Sequence, residues 1–181
     1  LDLKPHDAIT LPEPNPFLPN NLEVLSKSKS SLEEGGIPPN RGVPIPNVIL
    51  DDESGKVYYA MDSLYLVPKV NFIFTIRTPE VTPAKSRTIA LTELYVKCVQ
   101  DSLNDISYTA QLAGLKFSIK ASETNNGVRL QVQGYSDKAS QLFDSIVKFV
   151  VQPGCDEVKF NRYKDILLRS YADKALDSPI E

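Results

Sequence analysis

The sequence predicts an α+β domain in which helices cover one face of an antiparallel-rich sheet. Three observations predict this fold class. A helical repeat of apolar residues ends at Gly114, two alternating strands follow it, and two further helical repeats come after the strands. The predicted order is therefore strands, one long helix, a β-hairpin and two helices. A length of 181 residues suits one domain or a large piece of one.

Residues 1–46 are predicted to form a proline-rich extended arm docked on an α+β domain, which comprises residues 47–181. Proline fixes φ and lacks a backbone N–H, so a regular helix or central strand is excluded over most of the arm. Apolar side chains such as Phe17 provide anchors, which favours a docked arm over a free linker. Within the arm we predict a short edge strand over 21–25 and a polar loop over 26–41.

An acidic turn at 51–55 separates an extended segment, 43–50, from a strand at 56–60. The carboxylates of Asp51 and Asp52 could hold a metal ion, but they lack the ligand spacing of a calcium loop. We therefore interpret the turn as the solvated tip of a hairpin.

The strongest strand pattern covers 70–78, where β-branched and aromatic residues dominate and alternate residues share one face. A long helix is predicted next, with Thr82 as its N-cap, Pro83 as its first helical residue and Gly114 as its left-handed stop. The apolar stripe of this helix consists of Leu91, Leu94, Tyr95, Cys98, Val99, Leu103, Ile106 and Ala110.

The alternating strands that follow predict a half-buried hairpin with its turn at 125–127. Its outward residues could contact a ligand, although solvent exposure is the simpler interpretation; they are Lys116, Ser118, Lys120, Arg129, Gln131 and Gln133. Gly134 is predicted to end the second strand, and Ser136 to cap a helix that runs to Val151. Asp156 is predicted to cap a final helix that ends near Ala175. Its inward side chains would be Val158, Phe160, Tyr163, Ile166, Leu167 and Tyr171.

No catalytic, cofactor-binding or metal-ligating residue is predicted in this chain. A zinc cluster or a Ser-His-Asp arrangement would need the single histidine, His6, which lies in the arm. Two Ser-x-x-Lys pairs occur, Ser26 with Lys29 and Ser145 with Lys148, but the companion motifs of that enzyme class are missing. The sequence also lacks the glycine motifs that bind phosphates and dinucleotides. We therefore expect no enzymatic activity from this chain by itself.

The two cysteines do not form a recognisable redox or disulfide motif. Cys98 lies on the apolar stripe and is predicted to be a buried thiol, whereas Cys155 lies in a turn. The absence of a disulfide pattern weakly favours the cytoplasm, and the compartment stays open.

Charge and hydropathy exclude two classes of main partner. A net charge of −3 and a pI near 5.3 argue against nucleic acid and anionic membrane surfaces. No apolar run approaches the roughly 20 residues of a membrane-spanning helix. The chain does not begin with Met, so we expect it to be cut from a longer polypeptide. It stops at residues 178–181 without an obvious closing element, so we also expect it to lack the last elements of its domain.

Four segments follow one another in the chain: L-P-E-P-N-P-F-L-P-N-N-L at 11–22, the stretch 57–74, Q-D-S-L-N-D-I-S-Y-T-A-Q-L-A-G-L at 100–115, and G-Y-S-D-K at 134–138. In this order they resemble segments of the pitrilysin/insulin-degrading enzyme family of inverzincin zinc metallopeptidases. In that family these segments belong to the middle, third domain of four. The resemblance covers residues from about 10 to about 173 and fits least well over 26–41.

The resemblance implies an α+β fold and a parent protein that is a zinc metalloendopeptidase with a substrate-enclosing chamber. In the family, the His-x-x-Glu-His zinc motif lies in the first domain and the substrate-positioning Arg and Tyr lie in the fourth. None of these residues has a counterpart here, so zinc is expected only in the parent's first domain. The expected partners are the neighbouring domains and the polypeptide substrate. The alternative is a structural or protein-binding module from a catalytically inactive relative.

Overall fold

The computed structural model describes residues 13–24, 44–62, 65–122, 124 and 126–176. Within these residues the strands are β1 (Asn47–Asp52), β2 (Gly55–Tyr59), β3 (Lys69–Arg77), β4 (Lys116–Ala121) and β5 (Gly127–Tyr135). The helices are α1 (Ser86–Ser102), α2 (Asn104–Leu112), α3 (Ser136–Val151) and α4 (Glu157–Leu176). This arrangement confirms the predicted α+β class. In the part of the chain that is described, no helix is both long and apolar enough to cross a membrane.

The main sheet has three antiparallel strands in the order β3-β5-β4. Directly paired residues lie on the same face of a sheet, so the register defines two different faces. The apolar face carries Phe72, Val132 and Phe117 in one row, Phe74, Leu130 and Ile119 in the next, and Ile76, Val128 and Ala121 in a third. The hairpin predicted from alternation between 115 and 133 is confirmed, although residues 123 and 125 of its turn lie outside the described residues.

Helices cover the apolar face over β4 and β5, as the sequence predicted, whereas Phe72, Phe74 and Ile76 on β3 remain 37%, 48% and 46% exposed. α1 and α2 pack on β4, and α3 packs on β5 and β3. The ring of Phe143 on α3 lies 6.4 Å from Phe72 and 5.1 Å from Phe74, measured between centroids. The core side chains that are almost completely buried are Val99, Leu103, Leu115, Ile119, Val132, Leu142 and Ile146. Burial of each such side chain contributes about 1.5–3 kcal/mol, so this layer provides most of the driving force for folding.

β1 and β2 form a separate two-stranded antiparallel hairpin. Its tip is stabilised by Asp52, whose carboxylate accepts the backbone N–H of Ser54 at 2.8 Å and the Ser54 hydroxyl at 2.5 Å. These hydrogen bonds lower the pKa of Asp52. Asp51 forms an ion pair with Lys56 at 2.7 Å. Both carboxylates therefore have partners within the hairpin itself.

The single long helix predicted between Thr82 and Gly114 is wrong, because the structure divides it at Leu103. Leu103 has φ −98° and ψ 2°, outside the helical range, and α2 begins at the next residue. The hydroxyl of Ser102 donates to the carbonyl of Cys98 at 3.2 Å, a contact that bends helices. The residues Ser102 and Asn104 are also weak helix formers. Gly114 does take the predicted left-handed conformation, with φ +76°.

The predicted cap at Thr82 is also wrong. Helix α1 begins at Ser86, and its N-cap, Lys85, provides no side-chain cap. The backbone N–H of Lys85 instead donates to the carbonyl of Thr82 at 3.0 Å, which closes a β-turn. Pro83 occupies the second position of that turn, where its fixed φ fits equally well.

Ser136 and Gly134 behave differently from the prediction as well. Gly134 lies inside β5, which runs on to Tyr135, and Ser136 is the first residue of α3. The N–H of Ser136 donates to the carbonyl of Pro68 at 3.0 Å, so it extends the β3–β5 ladder by one bond and caps nothing. Asp156 is confirmed as a cap, since its carboxylate accepts the N–H of Lys159 at 2.8 Å.

The final helix buries less of its predicted apolar face than its pattern indicates. Tyr163, Leu167 and Tyr171 are half-buried, as expected for side chains that face inward. Val158, Phe160 and Ile166 are 78%, 41% and 50% exposed, so their predicted burial is wrong within the described structure. Among the described elements, α4 packs on α1, which covers only one narrow side of it.

The described part of the arm, residues 13–24, contacts the domain at three places, one of which is the Asp137 carboxylate that accepts the N–H of Asn20 at 2.7 Å. Phe17 is only 5% exposed and belongs to the main core. The Asn15 amide donates to the carbonyl of Thr109 at 2.8 Å. Residues 21–24 are not a strand, so that prediction is wrong over the described positions. Residues 1–12 and 25–43 lie outside the described structure, and the division at residue 46 stays a prediction.

Candidate functional site

The structure places no catalytic constellation among the residues it describes. Within that part of the chain, no group of three or more His, Cys, Asp or Glu side chains could hold a metal ion. The hydroxyl of Ser145 donates to the carbonyl of Gln141 one turn earlier at 2.9 Å. That bond makes Ser145 an ordinary helix-surface residue. His6, Ser26 and Lys29 lie outside the described residues.

The best candidate for a binding surface is the face of the three-stranded sheet that the helices leave uncovered, which we call the outer face. Its rows follow from the strand register. One row joins Asn71, Gln133 and Lys116, the next joins Ile73, Gln131 and Ser118, and the third joins Thr75, Arg129 and Lys120. The amide of Gln131 donates to the side-chain oxygen of Asn71 at 3.0 Å. The outward residues predicted from the hairpin's alternation all lie on this face.

A cleft of about 720 Å³ lies at one end of the outer face, where the segment after β2 approaches the sheet. Its lining includes Tyr59, Met61, Asp62, Lys69, Lys116 and Gln133. The carboxylate of Asp62 accepts the N–H groups of Tyr65 at 3.0 Å and Leu66 at 2.8 Å. These bonds hold Leu66 in a left-handed conformation, φ 50°, which is costly for a residue with a side chain. The rim of the cleft is therefore shaped by a local hydrogen-bonded turn that the sequence did not reveal.

Lys69 and Tyr135 lie side by side where the outer face meets this cleft. They are directly paired across β3 and β5, and the Lys69 ammonium lies 5.7 Å from the centre of the Tyr135 ring. This distance is within the range of a cation–π interaction. The pair holds a positive charge and an aromatic surface at the mouth of the cleft.

A second polar cluster joins α1 to α4 and is centred on Asp101. One oxygen of its carboxylate accepts the Tyr163 hydroxyl at 2.5 Å and Arg162 Nη2 at 3.2 Å. The other oxygen lies 3.0 Å from Lys159 Nζ. The hydrogen bonds from Tyr163 and Lys159 lower the pKa of Asp101, and the same contacts raise the pKa values of both partners. This arrangement is a structural clasp, since its groups are already paired with one another.

Two further contacts hold α4 against α1. The Tyr171 hydroxyl donates to Glu93 Oε2 at 2.8 Å, and burial together with that hydrogen bond raises the pKa of Tyr171 to about 12. At the other end of α4, Cys98 and Cys155 form a disulfide, with their Cα atoms 5.6 Å apart. Neither contact was predicted, because each joins residues that no sequence motif relates.

The disulfide corrects the prediction that Cys98 is a buried free thiol. Cys98 is buried on α1, and the loop before α4 brings Cys155 against it. Free cysteines are absent from the described part of the chain. The bond removes the reason for favouring the cytoplasm, because disulfides persist mainly in oxidising compartments.

Comparison with known families identifies the kind of domain to which this sheet belongs. Residues 2–181 match the family described as the middle or third domain of peptidase M16. The chain belongs to this M16 middle-domain family. This membership confirms the family that the four sequence segments resembled.

Individual relatives agree with this membership. Insulin-degrading enzymes from Bos taurus and Homo sapiens are each 30% identical over 171 residues, which is 93% of this chain and 15% of each relative. A protein of Schizosaccharomyces pombe whose name includes the words zinc protease is 28% identical over 92% of the chain and 16% of its own length. The M16 middle-domain chain thus spans about 15% of the length of these curated relatives.

The crystal structure of pitrilysin has the same fold over this region. It superposes with a TM-score of 0.71, covers 90% of this chain and 16% of the pitrilysin chain, and shows 21% identity. In the M16 middle-domain chain, the family segments 100–115 and 134–138 meet in space. The N–H of Leu115 donates to the carbonyl of Ala110 at 3.0 Å, and the Gly114 backbone that follows the helix lies against Gly134.

Proposed function

We propose that this chain is a non-catalytic segment of the third domain of a zinc metalloendopeptidase, where it forms part of the wall of a substrate-enclosing chamber. The observation that carries the proposal is the division of the sheet into two faces. Helices cover the apolar side chains of β4 and β5, whereas Lys116, Lys120 and Gln133 on the outer face are exposed. A polar, rigid sheet face of this kind suits the inside of a hydrated chamber that must hold a polypeptide without trapping it.

Zinc belongs to the parent protein in this proposal and not to the described residues. Family membership and the zinc protease name of one relative support a zinc site in the parent. By the family resemblance, we place that site in the parent's first domain. The neighbouring domains of the same polypeptide are the proposed structural partners. Large exposed apolar residues on α4, including Val158 and Leu168, support such a contact.

The first test uses the full-length parent protein. We expect a His-x-x-Glu-His motif upstream of this chain, one bound zinc ion per molecule, and peptide cleavage that a chelator abolishes. The 181-residue chain alone should show neither zinc nor cleavage. If the parent contains no zinc and cleaves no peptide, the alternative holds: a structural or protein-binding module from an inactive relative.

A second test addresses the chamber wall directly. In the full-length parent, Gln133→Cys places a thiol on the exposed outer face, and Ser140→Cys places a matched thiol on the exposed surface of α3. A bulky maleimide on residue 133 should lower the rate of peptide cleavage, and the same label on residue 140 should leave it unchanged. Equal effects from both labels would contradict the chamber-wall proposal.

A further inference from the structure

The outer face of the sheet is strongly cationic in a chain whose net charge is −3. None of the strand residues that point to this face is Asp or Glu. Five of them are basic: Lys69, Arg77, Lys116, Lys120 and Arg129. The excess of acidic residues therefore lies elsewhere in the chain, and positive charge is concentrated on one side of the sheet.

One acidic side chain, Asp62, lines the cleft beside Lys69 and Lys116, and the remaining basic residues of the outer face lie away from that carboxylate. Lys120 on β4 is directly paired with Arg129 on β5, which places two like charges opposite each other. Such a pair destabilises a sheet. The ion pairs found between described residues use other cations, namely Lys56, Lys85, Lys159 and Arg162. The positive charges of Lys120, Arg129 and Arg77 therefore form no ion pair among the described residues and can pair with a partner.

We propose that the outer face binds an extended, acidic segment of polypeptide. The proposal rests on the proposed function in taking this segment to be part of the substrate held in the chamber. Carboxylates of the segment pair with the basic residues at both ends of the face. The amide side chains of Asn71, Gln131 and Gln133 lie between those ends and can hydrogen-bond to the backbone of a peptide.

The dimensions of the face set the length of the segment. β3 extends from Lys69 to Arg77, and a strand rises about 3.4 Å per residue, so the basic ends lie roughly 27 Å apart. An extended peptide of about eight residues covers the same distance. A shorter acidic peptide reaches only one end and binds more weakly.

The chemistry of the face favours polypeptide over nucleic acid. Ile73 lies in the middle row and is 50% exposed, which provides a contact for an apolar side chain between acidic residues. The aromatic residue that points outward, Tyr135, is already paired with Lys69 at the edge of the face. Outward-pointing strand residues therefore provide no row of aromatic rings on which bases could stack, as single-strand binders require.

The test measures binding by the 181-residue chain with fluorescein-labelled probes and fluorescence anisotropy. Three probes are compared: an eight-residue peptide alternating Glu and Val, the same peptide with Gln for Glu, and an oligothymidylate of equal charge. We expect the Glu peptide to bind at least tenfold more tightly than the Gln peptide. We also expect its affinity to fall as salt is raised past physiological strength, where the screening length drops below about 8 Å.

Two matched double variants locate the site. Lys120→Gln with Arg129→Gln removes two charges from the outer face, and Lys97→Gln with Lys148→Gln removes two charges from exposed positions on α1 and α3. The first variant should weaken binding of the Glu peptide by about five- to tenfold, and the second by less than twofold. Because the first variant also relieves a like-charge pair, its melting temperature should be unchanged or higher. Lost binding in that variant therefore cannot be attributed to unfolding.

Three results would overturn the proposal: equal affinity for the Glu and Gln peptides, equal weakening by both variants, or tighter binding of the oligothymidylate. These failures are separable from failure of the proposed function. Chelator-sensitive cleavage by a parent whose third domain shows no charge preference would remove this inference alone. Acidic-peptide binding by a parent without zinc would remove the peptidase proposal and leave the binding face standing.

Discussion

Gly134 lies so close to Gly114 that a Cβ atom built on Gly134 would come within 2.4 Å of the Gly114 carbonyl oxygen. The same added atom would lie 2.9 Å from the Cα of Leu115. Gly134 has φ +139°, a conformation that side chains disfavour. The two glycines therefore allow the end of the second helix and the end of β5 to pass each other in contact. This crossing joins the two family segments that contain them.

We predict that Gly134→Ala lowers the free energy of unfolding by at least about 2 kcal/mol, because it adds a backbone clash to an unfavourable φ. Gly55→Ala is the matched control. Gly55 has φ +157°, and a Cβ atom there meets nothing within 4 Å. The Gly55→Ala variant therefore measures the energetic cost of a side chain at an unfavourable φ without a steric clash. Urea denaturation of both variants checks the prediction. Equal losses in the two variants would show that the contact with Gly114 has no energetic consequence.

Phe17 should be the main anchor of the arm. It is 5% exposed within the core, and large-to-small substitution of a buried Phe costs about 3–5 kcal/mol. We expect Phe17→Ala to reduce stability by about 3 kcal/mol and to increase proteolysis within the arm. Leu18→Ala is the control, because Leu18 is 51% exposed, and it should cost less than about 0.5 kcal/mol. Comparable losses from both variants would mean that the arm is not held by Phe17.

Periodicity alone predicted the central β-hairpin and the helical segments before and after it, but not the division of the long helix at Leu103. The hairpin signal was strong because residues 115–121 and 128–133 alternate strictly, so one register buries Ile119, Leu130 and Val132 together. Helix ends were harder to predict. Thr82 and Ser136 match the sequence pattern of helix N-caps. In the structure, the Thr82 carbonyl accepts the hydrogen bond of a β-turn, and the Ser136 N–H donates to the carbonyl of Pro68, next to β3. The turn at Thr82 is closed by a local hydrogen bond from Lys85, whereas the hydrogen bond at Ser136 depends on the distant residue Pro68.

The candidate site was predictable only in part. Alternation indicated that Lys116, Lys120 and Arg129 point outward, whereas β3 looked like a one-sided apolar strand and hid the contribution of Lys69 and Arg77. Only the register with β5 shows that those two residues lie on the same face of the sheet as Lys116, Lys120 and Arg129. The apolar residues of α4 were assigned to the core because a helical stripe does not reveal how much of it has a neighbour. The clasp at Asp101 joins residues more than 55 positions apart, beyond any local pattern.

The disulfide should contribute strongly to stability. It links residues 57 positions apart, and closing a loop of that size in the unfolded chain is worth about 4 kcal/mol in the chain-entropy treatment. We expect reductant to lower the melting temperature of the chain but not that of Cys155→Ser, which should already match the reduced protein. Alkylation of the unfolded, unreduced chain followed by mass spectrometry should add no label. Two labels on the unreduced chain would contradict the bond.

The clasp between α1 and α4 should be sensitive to acid. The pKa of Asp101 is lowered below its ordinary 3.8, chiefly by the hydrogen bond from Tyr163 and then by that from Lys159. Since the folded state favours the ionised carboxylate, this contribution is present above 3.8 and is lost as pH falls through the lower folded value. The pKa of Lys159 is raised above 10.5. The stability that the charged Lys159 contributes is therefore fully present below pH 10.5 and is lost only at more alkaline pH.

Asp101→Asn isolates this contribution. At neutral pH the variant should be less stable by about 1–2 kcal/mol, since it loses hydrogen bonds to a charged acceptor whose cationic partners are partly exposed. The difference in the free energy of unfolding between the variant and the unmodified chain should then narrow as pH falls below 3.8, because protonation removes the same interaction from the unmodified protein. Denaturant unfolding at a series of pH values measures the gap, and Asp144→Asn, an exposed carboxylate on α3, controls for the change in net charge. A gap that stays constant down to the acid limit would show that the Asp101 carboxylate does not stabilise the docking of α4.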